Sequence, residues 1–115
     1  MEKLQDRLKP GIFLRTGHRG AAGLAPENTM ASFQKATEVG VDLIELDVQS
    51  TSDGRIVVLH DGTVDRTTDG AGFISNMSWE SARKLDAGFR FGPPAFPRRG
   101  QGIRIPLLEE VLDAF

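Results

Sequence analysis

Residues 39–62 read VGVDLIELDVQSTSDGRIVVLHDG. An apolar run is interrupted by Glu45 and Asp47, passes through a polar turn, and resumes until His60 and Asp61. No other stretch limits the fold as much, because a strand face that carries ionised carboxylates cannot be buried without partners. Side chains alternate along a strand, so Glu45 and Asp47 share one face with Leu43 while Ile44, Leu46 and Val48 occupy the other. The acidic face must therefore meet water, a cation or basic side chains.

The segments before it supply the frame. GIFLRT, residues 11–16, is an apolar run with strand character, followed by a loop rich in Gly and Ala. A helix is predicted over residues 29–39, with Asn28 as N-cap and Gly40 ending it. Met30, Phe33, Ala36 and Val39 form its apolar stripe. Strand, helix and strand in that order predict an α/β fold with a parallel sheet. The second strand is predicted over residues 41–48 and the next over 55–60. A link of about six residues is too short for a parallel crossover, so these two runs should form an antiparallel hairpin. Asp53-Gly54 suits the centre of a type I′ turn. Ser52 would then face Arg55, and His60 would fall opposite Asp47 on the acidic face.

Two acids on one strand face suit a hard, oxygen-seeking divalent cation such as Mg²⁺ or Ca²⁺. An isolated E-x-D is more often a solvated face, and a lone His at a strand end more often structural. It is the company of the three groups that points to chemistry. GHRG, residues 17–20, ends the first predicted strand. Ligands in parallel α/β sheets sit beyond the carboxyl ends of the strands, which brings His18 and Arg19 to the end that carries Glu45 and Asp47. Arg19 can hold a phosphate with two parallel bonds, and the flanking glycines let backbone approach closely.

Beyond residue 60 the signal is sparser. Residues 63–105 look irregular, with one short helix predicted over 79–86, capped by Ser78 and followed by Gly88. IPLLEEVLDAF, residues 105–115, starts an amphipathic helix and ends within it, which predicts that the 115 residues belong to a longer protein. A net charge of -2, with no dense basic block, gives no reason to expect nucleic acid or an anionic membrane as partner. There are no cysteines, so disulfides and thiolate metal sites are excluded. No apolar stretch approaches the ~20 residues of a membrane span. Met1 to Pro10 lacks the apolar core of a signal peptide, so the default location is cytoplasmic unless a signal lies upstream.

Seven segments together resemble the glycerophosphodiester phosphodiesterase family: HRG at 18–20, PENT at 26–29, IELDV at 44–48, DGRIVVLHD at 53–61, RTTDG at 66–70, LDAG at 85–88 and IPLLEEVL at 105–112. Their order and spacing cover residues 12–115. The resemblance implies a TIM-type barrel of about 250 residues, of which this chain would be a single partial domain, the N-terminal portion. Residues 61–104 would be an insertion beside the active site. It further implies hydrolysis of small glycerophosphodiesters to glycerol 3-phosphate and an alcohol. Glu45 and Asp47 would hold Mg²⁺ or Ca²⁺ with a third acid from a later strand, which also carries a lysine. Arg19 would grip the phosphate, and His18 and His60 would be the acid–base pair. Leu107 stands where the family commonly has Thr, a lost helix cap worth about 1 kcal/mol. Two other readings remain: a related barrel acting on lysophospholipids, and a non-catalytic fragment. A partial barrel also leaves unburied edges through which two copies could pair.

Overall fold

The computed structural model describes residues 10–115, so the reading of residues 1–9 as lacking a signal-peptide core lies outside the described residues. Strand β1 is Thr16–His18 and pairs in parallel with β2, Leu43–Glu45, in the register Thr16↔Leu43, Gly17↔Ile44 and His18↔Glu45. The first strand was predicted over 11–16. Gly11 instead adopts a left-handed φ of 83° and Phe13 is 94% exposed, so the chain becomes a strand only where β2 offers a partner.

Helix α1, Met30–Val39, connects the two strands. Its N-cap is Thr29, whose hydroxyl accepts from the Ser32 N–H at 3.2 Å. Asn28 is not the cap: an N-cap needs extended backbone, and Asn28 has a φ of 55°. Gly40 ends the helix in the left-handed conformation, its N–H donating to Ala36 and Thr37 carbonyls at 3.1 Å. Phe33 and Ala36 are fully buried and Val39 is half exposed, so the apolar stripe is narrower than its periodicity suggests.

The strand expected over 41–48 divides. β2 ends at Glu45, and β3, Val48–Ser50, begins after a break at Leu46 and Asp47, because this stretch serves two sheets. β3 pairs antiparallel with β4, Ile56–Val58, in the register Val48↔Val58, Gln49↔Val57 and Ser50↔Ile56. The hairpin exists, and its register differs by one residue from the predicted one. The turn is not a two-residue type I′ turn. Thr51 pairs with Arg55, its N–H donating to the Arg55 carbonyl at 2.9 Å, and the loop Ser52-Asp53-Gly54 closes through Gly54 at a φ of 79°. The Asp47 main-chain carbonyl therefore accepts from the Leu59 N–H at 2.9 Å, and His60 does not lie opposite Asp47. A slip of one residue exchanges the faces of every side chain beyond the turn.

β4 joins the two cores by simple alternation: Val57 packs with Leu59, Val64, Ile74 and Leu107, whereas Val58 packs with Phe33 and Val111. Residues 61–104 are irregular apart from an isolated antiparallel bridge between Thr63 and Phe73, a 3₁₀ turn at Ile74–Asn76 and helix α2, Trp79–Ala82, which is shorter than predicted. Ser78 caps α2 as expected, accepting from the Ser81 N–H at 3.2 Å. Helix α3, Leu108–Ala114, starts at Leu107, a side chain with no acceptor. Only half of a capping box forms, through Glu110 and the Leu107 N–H at 3.4 Å. The described residues thus form two two-stranded sheets and no closed barrel. None of their helices is long and apolar enough to cross a membrane.

Candidate active site

The register of β1 against β2 sets the site, because it places His18 and Glu45 side by side at the carboxyl ends of parallel strands. His18 Nε2 lies 3.6 Å from Glu45 Oε2. The chain then turns sharply: Arg19 and Gly20 take φ values of 54° and 86°, and the Gly20 N–H returns to the Gly17 carbonyl at 3.2 Å. Ser32, buried in the first turns of α1, locks this turn. Its hydroxyl donates to the Arg19 carbonyl at 2.8 Å and accepts from the Ala21 N–H at 2.7 Å.

Gly20 has no room for a side chain. A Cβ there would stand 2.4 Å from Ser32 Oγ and 2.8 Å from the Ser32 carbonyl carbon. Gly20→Ala is expected to destabilise the fold by about 2–4 kcal/mol, from overpacking added to a disfavoured φ. Gly54→Ala, also at positive φ but with nothing within 4 Å, is expected to cost only about 1 kcal/mol. Denaturant melts of the two variants check this, and equal losses would contradict it.

Arg19 faces both acids. Its N–H donates to Glu45 Oε2 at 3.3 Å and its Nε lies 3.7 Å from Asp47 Oδ2. Asn28, whose N–H donates to the Arg19 carbonyl, also donates from Nδ2 to Asp47 Oδ2 at 3.1 Å. Arg19, Gly20 and Asn28 thus concentrate left-handed backbone around two carboxylates, a pattern typical of functional sites. Two buried atoms have no hydrogen-bond partner among the described residues: Arg19 Nε and Asn28 Oδ1. A buried unpaired oxygen, on a side chain already bonded to Asp47, fits the hard oxygen donors that Mg²⁺ and Ca²⁺ take. The set is incomplete, since no group of three His, Asp or Glu residues among those described could enclose a metal ion.

His60 sits apart from this cluster. Its Nδ1 lies 2.7 Å from Asp61 Oδ1, and among the described residues it makes no ion pair with Glu45 or Asp47. A chain of charges links it to them instead. Arg66 holds Asp61 with two bonds, from Nε at 2.9 Å and Nη2 at 3.1 Å. It also holds Glu27 with two, from Nη1 at 2.6 Å and Nη2 at 3.0 Å. Glu27 in turn accepts from Arg19 Nη1 at 2.9 Å. Burial raises the Glu27 carboxyl, but the bonds and charges of Arg66 and Arg19 outweigh it and leave Glu27 below its ordinary value. Asp61 is held far below the usual carboxylate range, first by Arg66 and then by His60. Arg66 is raised by Glu27 and Asp61.

The structure therefore brings His18, Arg19, Glu45 and Asp47 together and connects His60 to Arg19 through three intermediates, Asp61, Arg66 and Glu27. Glu27, Asn28, Asp61 and Arg66 were not read from the sequence as site residues; Asn28 was read only as a helix cap. Glu27 and Asn28 lie within PENT and Arg66 opens RTTDG, so the signal was present as motif and absent as chemistry. A cavity of about 240 Å³ adjoins the network, lined in part by Pro26, Glu27, Arg66, Arg90 and Phe91.

A turn at the end of a parallel strand, carrying an arginine and a histidine against two carboxylates, defines this chain as part of an α/β protein with a polar site at its strand ends. The chain belongs to the glycerophosphoryl diester phosphodiesterase family, which it matches over residues 18–115. It is 52% identical over 96 residues to a glycerophosphodiester phosphodiesterase of Caldanaerobacter subterraneus subsp. tengcongensis, covering 84% of this chain and 37% of that protein. A Bacillus subtilis glycerophosphodiester phosphodiesterase is 43% identical over 112 residues, covering 94% of this chain and 38% of its own length. Among solved structures, a glycerophosphodiester phosphodiesterase from Agrobacterium tumefaciens superposes with a TM-score of 0.78 at 40% identity, over 86% of this chain and 40% of that one. An Oleispira antarctica phosphodiesterase in complex with the product sn-glycerol-3-phosphate gives 0.77 at 38% identity, over 85% and 38%. The chain thus spans well under half the length of these relatives.

Proposed function

We propose that this chain carries the N-terminal part of a (β/α) barrel that hydrolyses glycerophosphodiesters to glycerol 3-phosphate and an alcohol. The observation that carries this reading is the convergence of His18, Arg19, Glu45 and Asp47 at the carboxyl ends of β1 and β2. Glu45 and Asp47 would hold a divalent cation, Mg²⁺ or Ca²⁺, with the Asn28 amide oxygen beside them. When bound, that cation supplies Lewis-acid polarisation of the phosphodiester. Arg19, whose backbone N–H meets Glu45 and whose guanidinium lies beside Asp47 and Glu27, offers that guanidinium to the phosphate oxygens and neutralises the charge that builds on them.

His18 and His60 are the acid–base pair in this reading. One accepts the proton of the attacking hydroxyl as its oxygen bonds to phosphorus. The other donates a proton to the departing alcohol oxygen as that P–O bond breaks. The Asp61 contact favours a proton on His60 Nδ1, which leaves Nε2 with a lone pair.

The test uses a chimera in which residues 18–115 replace the matching segment of the Caldanaerobacter relative. Chelation is expected to lower glycerophosphocholine hydrolysis by about 10²-fold or more, and added Mg²⁺ or Ca²⁺ to restore it. Full turnover in excess chelator would remove the carboxylates from any metal role.

A further inference from the structure

Arg66 lies in the irregular stretch after β4, and nothing above gives it a part in the reaction. By itself an exposed ion pair stabilises little, and the Arg66 side chain is 49% exposed. Its geometry is nevertheless unusual for a surface arginine. It bonds two carboxylates with two contacts each, at 2.6–3.1 Å. One of these, Glu27, is only 16% exposed and is the partner of Arg19. The other, Asp61, is the partner of His60 Nδ1. The planar guanidinium suits such double bidentate pairing in a way an ammonium does not.

We propose that Arg66 is a positioning residue which, by holding Glu27 and Asp61 at once, couples the placement of Arg19 to the orientation and tautomer of His60. This rests on the reading of Arg19 as the phosphate-binding group and His60 as an acid–base group. Asp61 is adjacent to His60 in sequence and 29% exposed, so without Arg66 it is free to turn towards water. The imidazole then loses the acceptor that keeps its proton on Nδ1, and in water the Nε2–H tautomer prevails. Glu27 meanwhile keeps Arg19 as its sole charged partner among those described, and the link between the two halves of the site is broken. The two ends are otherwise held separately: His60 by Gln49, whose Nε2 donates to the His60 carbonyl at 2.9 Å, and Arg19 by Ser32.

The chain has only two histidines, so its ring-¹⁵N spectrum contains two imidazoles, and His18→Gln assigns them. At a pH where the rings are neutral, His60 is expected as the Nδ1–H tautomer in the unaltered chain. In Arg66→Gln it is expected to shift mainly to Nε2–H, with the His18 signals unchanged. Arg66→Ala should show the same shift, reversed by added guanidinium ion. Arg66→Lys keeps the charge but cannot form both paired contacts, so it should shift partway. It is also the arm that decides the matter if the neutral variants unfold. In the chimera, Arg66→Gln is expected to lower kcat by about 10–100-fold, the range seen when a supporting contact to an active group is removed. An unchanged His60 tautomer in folded Arg66→Gln or Arg66→Lys would overturn the proposal. So would a shift that guanidinium ion does not reverse. The tautomer measurement needs no substrate, so it stands or falls apart from the hydrolytic reading.

Discussion

Assayed by itself, this chain is expected to release glycerol 3-phosphate at least about 10³-fold more slowly than a full-length relative. That figure combines about 10-fold or more for weakened metal binding with about 10²-fold for a missing charge on the phosphate. The described residues offer two carboxylates at the site and no third acid with them. The fold points the same way. Two two-stranded sheets leave edges without partners, and Phe13, Leu112 and Phe115 are 94%, 67% and 47% exposed. Such surfaces favour pairing of copies, and a pair would still bring only more of the same two acids. Light scattering gives the oligomeric state and a glycerophosphocholine assay with Mg²⁺ or Ca²⁺ gives the rate. Turnover within about tenfold of a full-length relative, a barrier difference of only about 1.4 kcal/mol, would contradict the expectation.

Replacing Asp47 has the second large effect. Asp47 is the acceptor for Asn28 Nδ2 at 3.1 Å and the carboxylate nearest Arg19 Nε at 3.7 Å. Asp47→Ala removes one of the two proposed metal donors, frees the Asn28 amide and leaves Arg19 with less negative charge to hold it. In the chimera the loss is expected to reach about 10²-fold or more in kcat/KM, with excess Mg²⁺ or Ca²⁺ restoring little, because one remaining strand carboxylate is a poor chelator. Near-normal turnover of Asp47→Ala without added metal would show the acid pair to be structural.

The pattern of the sequence carried the βαβ unit and the reach of its site further than it carried the hairpin. Helix α1 and its Gly40 terminus were legible because a 3.6-residue stripe and a C-terminal glycine are local signals. His18 beside Glu45 was legible because parallel strands deliver their carboxyl ends together. The cap was misplaced by one residue because Asn28 and Thr29 are both good cap types. Only the tertiary demand for Asn28 at positive φ, reaching Asp47, separates them. The hairpin register failed for a related reason. Asp53-Gly54 fits a two-residue turn, but Asp53 is engaged elsewhere: it pairs with the Thr51 hydroxyl and accepts from the Trp79 N–H at 3.1 Å. That contact from a distant helix selects the longer loop and moves His60 off the acidic face. The Glu27–Arg66–Asp61 chain was invisible because it joins residues separated by up to 39 positions, and no periodicity reports such pairing.

The most direct measurement of the central claim is glycerol 3-phosphate release from glycerophosphocholine by the chimera that carries residues 18–115 of this chain. The relative supplies the rest of the barrel, so the assay tests only what these residues bring. The chimera is expected to turn over within about tenfold of the parent enzyme. His18→Gln and His60→Gln are each expected to lose about 10²–10⁴-fold, the range for removing a general acid or base. A chimera that melts cooperatively yet releases no glycerol 3-phosphate would contradict the account, as would one whose His18→Gln and His60→Gln variants keep the parental rate.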